Sequence, residues 1–136
     1  WQDDPESCVA LIILLDQFSR NLFRDDKQAF AQDYKARLIT NEAVDRGYLE
    51  DINLDQKNFM LLPLLHSEDI SDHVYAQNLC GTYLKNHPQF NEIKKAWDDH
   101  TYAIKKFGRY PHRNKILGRT STPEEELFLQ KPNSSW

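Results

Sequence analysis

Apolar residues recur along the chain mostly in helical registers, and polar residues punctuate each run. Asp4-Pro5-Glu6 reads as a helix start: a capping carboxylate, a proline with its φ preset, then an acid facing the positive helix end. The run Val9-Ala10-Leu11-Ile12-Ile13-Leu14-Leu15 follows. Its length alone would suit a buried strand, but the cap and the Asp16-Gln17-Phe18 continuation predict a first helix over 5–19. A helix apolar all round is expected at the centre of a fold. Residues 20–32 are polar and predict a connection with one short turn at most. Asp33 is placed to cap a second helix reaching Arg46, with Gly47 at the left-handed stop.

Asp55 opens a third helix carrying Phe59, Met60, Leu61, Leu62, Leu64 and Leu65, in which Pro63 should produce a kink or a break. A fourth spans 67–86 with a stripe of Ile70, Val74, Tyr75, Leu79 and Tyr83. Pro88 begins a new segment, and a fifth helix covers 89–107 with Gly108 ending it. Residues 109–120 read as irregular, with one turn near 114–117. Thr122-Pro123-Glu124-Glu125 combines a cap, a proline at the first helical position and a capping-box acid, so a short last helix is expected over 123–130. The fold class is therefore all-α: successive antiparallel helices with short loops, about five main ones plus a short C-terminal helix, in a single domain over 1–136.

Composition narrows this further. Four glycines and six prolines among 136 residues argue against a turn-rich sandwich or barrel. The longest apolar run is too short to cross a bilayer, so no membrane partner is expected. A net charge of −4 disfavours nucleic acid, whose phosphates are held by basic surfaces. The charge is uneven, because residues 101–120 hold six bases (Lys105, Lys106, Arg109, Arg113, Lys115, Arg119) and no acid. Such an island suits a small anionic partner or an internal contact with the acidic remainder; the internal contact is the plainer reading. Cys8 and Cys80 lie in apolar helical patterns without CxxC spacing, which fits small buried hydrophobes in a reducing cytoplasm. Trp1 cannot start translation, so the natural chain is expected to extend further upstream.

Three polar constellations are candidates for chemistry. Asp16-Gln17-Phe18-Ser19-Arg20-Asn21-Leu22-Phe23-Arg24 closes the most apolar helix, and Asp16 and Arg20 stand at i, i+4. It is either a polar plug or an arginine fork offered to an anion. His66-Ser67-Glu68-Asp69 is ordinary capping material, although His66, Asp69 and His73 share one helical face in the manner of half a metal site. No second ligand pair completes it, so neither a metal nor another cofactor is expected. Phe107-Gly108-Arg109-Tyr110-Pro111-His112-Arg113-Asn114 and Leu117-Gly118-Arg119 form the third, an irregular backbone projecting clustered donors. His112 has the chemistry of an acid or base near neutral pH, and the alternative is a basic loop clamping acidic helix ends. No GxSxG, Walker or GxGxxG motif supports a hydrolase, NTPase or dinucleotide enzyme.

The segments LLDQFSRNLFR (14–24), LPLLHSED (62–69) and KFGRYPHRNKILGRTSTPEEELFL (106–129) resemble the bacterial family known as domain of unknown function 924, over the whole of 1–136. The resemblance implies a tetratricopeptide-repeat-like helical fold and no particular activity. Matching positions include Asp16, Gln17, Arg20, Asn21, Arg24, His66, Ser67, Glu68, His100, Arg109, His112, Arg113, Asn114 and Arg119. Ser19 stands where the family usually has proline, which implies a looser turn after helix 1, and His73 where it has glutamine. Family members usually begin with an aromatic-rich helical segment that this chain lacks. Its loss is expected to expose an apolar groove on helix 1 or its neighbours and to invite a homodimer.

The residues alone name no activity. The expectation is a cytoplasmic protein in which Arg20, Asn21, Arg24, His66, His100, Arg109, Arg113, Asn114 and Arg119 bind a small anionic ligand in one pocket. If there is catalysis, His112 and Glu68 are the candidates to carry it. The alternative is a helical-repeat-like module that binds a peptide or protein without catalysis, near Phe90, Trp97, Tyr102 and Tyr110.

Overall fold

The computed structural model describes residues 2–136, and among these the regular structure is entirely helical. Helix α1 (Pro5–Ile13) begins as its sequence dictates, with the Asp4 carboxylate accepting from the Ser7 N–H at 2.9 Å. It passes into a π-helical turn, Leu14–Phe18, and then into α2 (Ser19–Leu22). The chain thus stays helical through Ser19, and no turn opens there. One extra residue in a turn is a local cost that recurs where a helix serves a site. The polar stretch that follows contains a 3₁₀ turn, Lys27–Phe30, capped by the Asp26 carboxylate.

Helix α3 (Asp33–Asp45) ends at Gly47, whose φ is +77°. Asp33 does not cap this helix; Gln32 holds the cap position, and Asp33 turns its carboxylate to Arg20 instead. Helix α4 (Leu54–Leu65) starts one residue ahead of Asp55, where Asn53 and Gln56 make a reciprocal capping box. Pro63 lies inside α4 without ending it. The missing N–H is tolerated because Met60, Leu61, Leu64 and Leu65 around it are fully buried, and each such side chain contributes about 1.5–3 kcal/mol. Thr40 of α3 also donates to the Met60 carbonyl at 2.7 Å, tying the two helices beside the proline.

Helix α5 (Ile70–Tyr83) matches its apolar stripe but is shorter at both ends than the expected 67–86, and Asp69 supplies the cap. Helix α6 (Phe90–Phe107) closes at Gly108, with φ +71°. A 3₁₀ turn, Pro111–Arg113, leads into α7 (Asn114–Leu117), and α8 (Pro123–Leu129) carries the expected Thr122–Glu125 capping box.

Helix α4, not the first helix, is the hub, packed against α1, α3, α5 and α6. Helix α1 buries Cys8, Val9 and Ile12 on one face while Leu14 beyond it is half exposed. A second, smaller core gathers Ala103, Ile104, Tyr110 and Phe128 where α6 meets α8. Both cysteines are buried and free. No helix is long and apolar enough to cross a membrane among the described residues.

Candidate functional site

The most buried charge in the molecule is Asp16, in the π-helical turn, with 1% of its surface exposed. A carboxylate there must be fully bonded. Its oxygens accept from Gln17 Nε2 at 2.7 Å, from Arg20 Nη1 at 2.9 Å and from His66 Nδ1 at 2.8 Å. Burial works against the charged form, but the His66 contact and the Arg20 charge outweigh it and hold the Asp16 pKa below the ordinary value. Burial also lowers His66, against the pull of Asp16 and with help from the Arg20 and Arg113 charges. The pair thus carries its charge on the carboxylate, with Nδ1–H donated and Nε2 left as an acceptor.

Arg20 spends the rest of its fork on Asp33, through two bonds of 2.9 Å. Arg113 approaches the same Asp33 at 3.9 Å and donates Nη2 to the His66 carbonyl at 2.8 Å. Its guanidinium lies between the rings of Phe30 (4.5 Å) and Tyr110 (4.8 Å). Facing rings compensate part of the lost hydration of a buried cation. Its Nε is nevertheless buried without a partner, and burial lowers its pKa.

The loop arginines on either side are fasteners. Arg109 makes a two-pronged contact with Glu125 at 2.9 and 2.7 Å, and Arg119 does the same with Glu68 at 2.9 and 3.1 Å. Asn114 joins the two by accepting from Arg119 Nε and donating to Glu125 Oε2. Glu68 also accepts the Tyr110 backbone N–H at 2.6 Å. Burial would raise Glu68, but the Arg119 and Tyr110 hydrogen bonds keep its pKa low, so it serves as an ionised acceptor. Glu125 is lowered to about 2, first by the Arg109 bond.

His73 is likewise internal. Gln77 donates to Thr101 Oγ1, Thr101 offers its proton to His73 Nδ1, and His73 Nε2 donates to the Ser67 carbonyl at 2.7 Å. His66, at the end of α4, and Asp69, capping α5, therefore have separate duties, and no group of three His, Cys, Asp or Glu stands together for a metal among the described residues.

A cleft of about 460 Å³ opens on the far side of the Arg20–Asp33 pair. One wall is the helix end bearing Gln17, Arg20, Asn21 and Arg24, with the exposed Asp25 carboxylate beside it; the others are Ala29, Phe30, His112, Ile116, Ser135 and Trp136. The His112 Nδ1 is buried without a hydrogen-bond partner. Burial, then the Arg113 charge, lowers His112 to about 4, so the ring is neutral at pH 7. The Trp136 indole lies over His100 with centroids 4.3 Å apart, and the rings of Tyr110 and His112 stand across it at 5.6 and 5.5 Å. His100 donates Nδ1 to the Ala96 carbonyl, and burial lowers it to about 3.

The expected site residues are thus divided. Arg20, Asn21, Arg24 and His112 line the cleft, with His100 beneath Trp136. His66, Glu68 and Arg113 line a second hollow of about 220 Å³ on the other side of Asp33. Arg109 faces a third depression, with Phe107 and Glu125, while Asn114 and Arg119 sit in the ion-pair network. Phe30, Ile116 and Trp136 were not legible as site residues. A lone tryptophan after the last helix was the one available signal, and nothing in sequence spacing says which cleft it reaches.

No curated protein matches the sequence. The solved structure of a protein of unknown function from Agrobacterium tumefaciens superposes with a TM-score of 0.86 at 38% identity, over 96% of this chain and 70% of that one. The Asp16, His66 and Arg113 network and the ion-paired loop after α6 are built from the three segments that carry the resemblance noted above. Residues 1–133 match the family described as bacterial protein of unknown function (DUF924), and the chain belongs to that family.

Proposed function

We propose that the chain binds a small anionic ligand in the cleft between the Gln17–Arg24 helix end and the His112–Ile116 segment. The observation that carries this reading is what remains unsatisfied there. Arg24 has no carboxylate within 4.0 Å among the described residues, and beside it His112 has a buried Nδ1 without a partner. Buried polar atoms in folded proteins are otherwise nearly always bonded, so an unbonded one at a cleft wall marks a place where a ligand completes the set. A volume of about 460 Å³ suits a small metabolite. Arg20, on the cleft wall, has its fork committed to Asp16 and Asp33 and does not spend its charge on the ligand, and Arg113 lies outside the cleft.

Calorimetric titration with inorganic phosphate tests this, in wild type and Arg24→Ala. The expected result is saturable binding that weakens at least five-fold in the variant and falls with added salt. Equal affinity in both proteins would sink the reading, as would no binding at millimolar phosphate.

A second reading rests on its own observation. Leu14, Phe18 and Leu22 stand at i, i+4 and i+8 along the α1–α2 helix and are 47%, 53% and 67% exposed. Such a stripe suits a partner peptide helix or a second copy of the chain. Phe18→Glu should abolish any concentration-dependent association seen by sedimentation. Pairwise packing of α3 on α4, α4 on α5 and α5 on α6 supports the antiparallel, tetratricopeptide-repeat-like arrangement as the finer description of the fold. Two buried free thiols support a cytoplasmic setting.

A further inference from the structure

Resting on the anion-binding reading, a narrower assignment follows from the way Trp136 is held. Its indole fills a slot made by the face of His100, 4.3 Å away and tilted by 31°, and by the rings of Tyr110 and His112, which stand steeply to it at 64° and 74°. Two of these rings turn polar atoms to other tasks, while the His112 Nδ1 is left without a partner. Tyr110 donates its hydroxyl to the Leu65 carbonyl, and His100 donates Nδ1 to Ala96. What is left facing the indole is flat, uncharged aromatic surface, the chemistry that receives a planar ring.

The present occupant is weakly tied. After α8 the chain is anchored by Lys131 N–H to the Phe128 carbonyl and by Ser134 Oγ to the Leu129 carbonyl. No hydrogen bond from Ser135 or Trp136 is found among the described residues, and the indole remains 39% exposed. Trp136 is also a wall of the cleft that Arg24 and Asn21 line from the other side. Displacing the indole would therefore join the slot to the cleft and make one site with a ring-binding end and a cationic end.

We propose that the ligand is an aromatic anion, whose ring takes the slot among His100, Tyr110 and His112 that Trp136 occupies here and whose charged group reaches Arg24 and Asn21. Trp136 is then a competitor built into the chain. It keeps the rings covered when no ligand is present and leaves when one binds. Either a phosphate or a carboxylate meets the charge requirement; the ring is what separates this site from a general anion site.

The test uses calorimetry on the full chain with two matched pairs of probes, phenyl phosphate against inorganic phosphate and benzoate against acetate. In wild type the aromatic member of at least one pair should bind ten-fold or more tighter than its partner, and the pair that shows it names the anion class. Trp136→Ala should raise the preference for the aromatic probe over its small-anion partner several-fold, whatever the loss of this wall does to the small anion itself. Tryptophan emission offers a readout that needs no variant: the aromatic probe should shift it to the red as the indole enters water, and the small anion should not. Phosphate binding that depends on Arg24, with no preference for an aromatic probe and no change in Trp136→Ala, would overturn this proposal and leave the anion site standing. Failure of all four probes would overturn both.

Discussion

Acid should unfold this protein earlier than its carboxylates alone would dictate, and the cause is the group of neutral imidazoles around Tyr110. Burial lowers His100 to about 3 and His112 to about 4, and it pushes His66 and His73 in the same direction. A histidine with a depressed folded pKa stays neutral in the native state while the unfolded chain takes up a proton. Its stabilisation is therefore complete above the unfolded value near 6.5 and is lost progressively as pH falls from there toward the folded value. Between about pH 7.5 and about pH 5.5 each fully depressed imidazole removes about 1.4 kcal/mol, so His100 and His112 together remove about 2.7 kcal/mol. That is a large share of an ordinary domain's stability of about 5–15 kcal/mol. Carboxylates contribute little over this interval because their unfolded pKa values lie near 4.

Urea unfolding at a series of pH values measures this directly. The free energy should fall with a slope that approaches about 1.4 kcal/mol per pH unit for each such histidine at the acid end of the interval. His100→Asn should recover about 1.4 kcal/mol of the pH-dependent loss, whatever the substitution does to stability at neutral pH. A wild-type loss under about 1 kcal/mol over the interval would refute the argument. A slope unchanged in His100→Asn would show that this ring is not among the buried neutral ones.

Three further outcomes test the scaffold. Leu64→Ala, in the hub helix at 0% exposure, should cost about 2–5 kcal/mol in urea unfolding, since the helices packed on it cannot close the cavity. Thr122→Ala removes the side-chain half of the α8 capping box and should lower stability by about 1 kcal/mol, with calorimetric melting as the readout. Gly118→Ala should cost about 1–2 kcal/mol by backbone strain alone, because φ is +70° and no atom lies within 4 Å of the added methyl; Gly118→Asn should cost measurably less.

Local chemistry was legible in the sequence wherever it acts over a few residues. Asp4 with Pro5, Thr122 with Glu125, and Gly47 and Gly108 sit where capping and left-handed stops require, because these signals depend on neighbours three or four positions away. The misreadings share one cause, which is tertiary packing. Pro63 reads as a kink or a break, and of these the break does not occur, because the burial of Met60, Leu61, Leu64 and Leu65 outweighs one lost backbone hydrogen bond. Asp33 reads as a cap until Arg20, thirteen residues earlier, claims both of its oxygens. The even apolar wrap of residues 9–15 marks an inner helix by pattern, yet the leucine-rich α4 takes that place. The candidate site was legible as three polar segments; its division into separate hollows was not, since that depends on which arginine meets which acid across the fold.

Hydrogen-bond satisfaction sorts those arginines better than their clustering does. Arg109, Arg119 and Arg20 each have an acid matched to the fork, so their directional donors are committed and a ligand would have to displace a carboxylate to use them. Arg113 is buried between rings with one nitrogen unbonded, and removing it would open a cavity between Phe30 and Tyr110 and leave the His66 carbonyl without its donor. Arg113→Ala should accordingly destabilise the fold and says little about binding. Arg24 differs in kind: exposed, unpaired among the described residues and on the wall of a cleft that also holds His112, it can be removed with little cost to folding. If Arg24→Ala melts like wild type and Arg113→Ala does not, the motif residues have been separated into those that hold the cleft and the one that is free to meet a ligand. If both melt alike, the buried network is not what organises this end of the molecule.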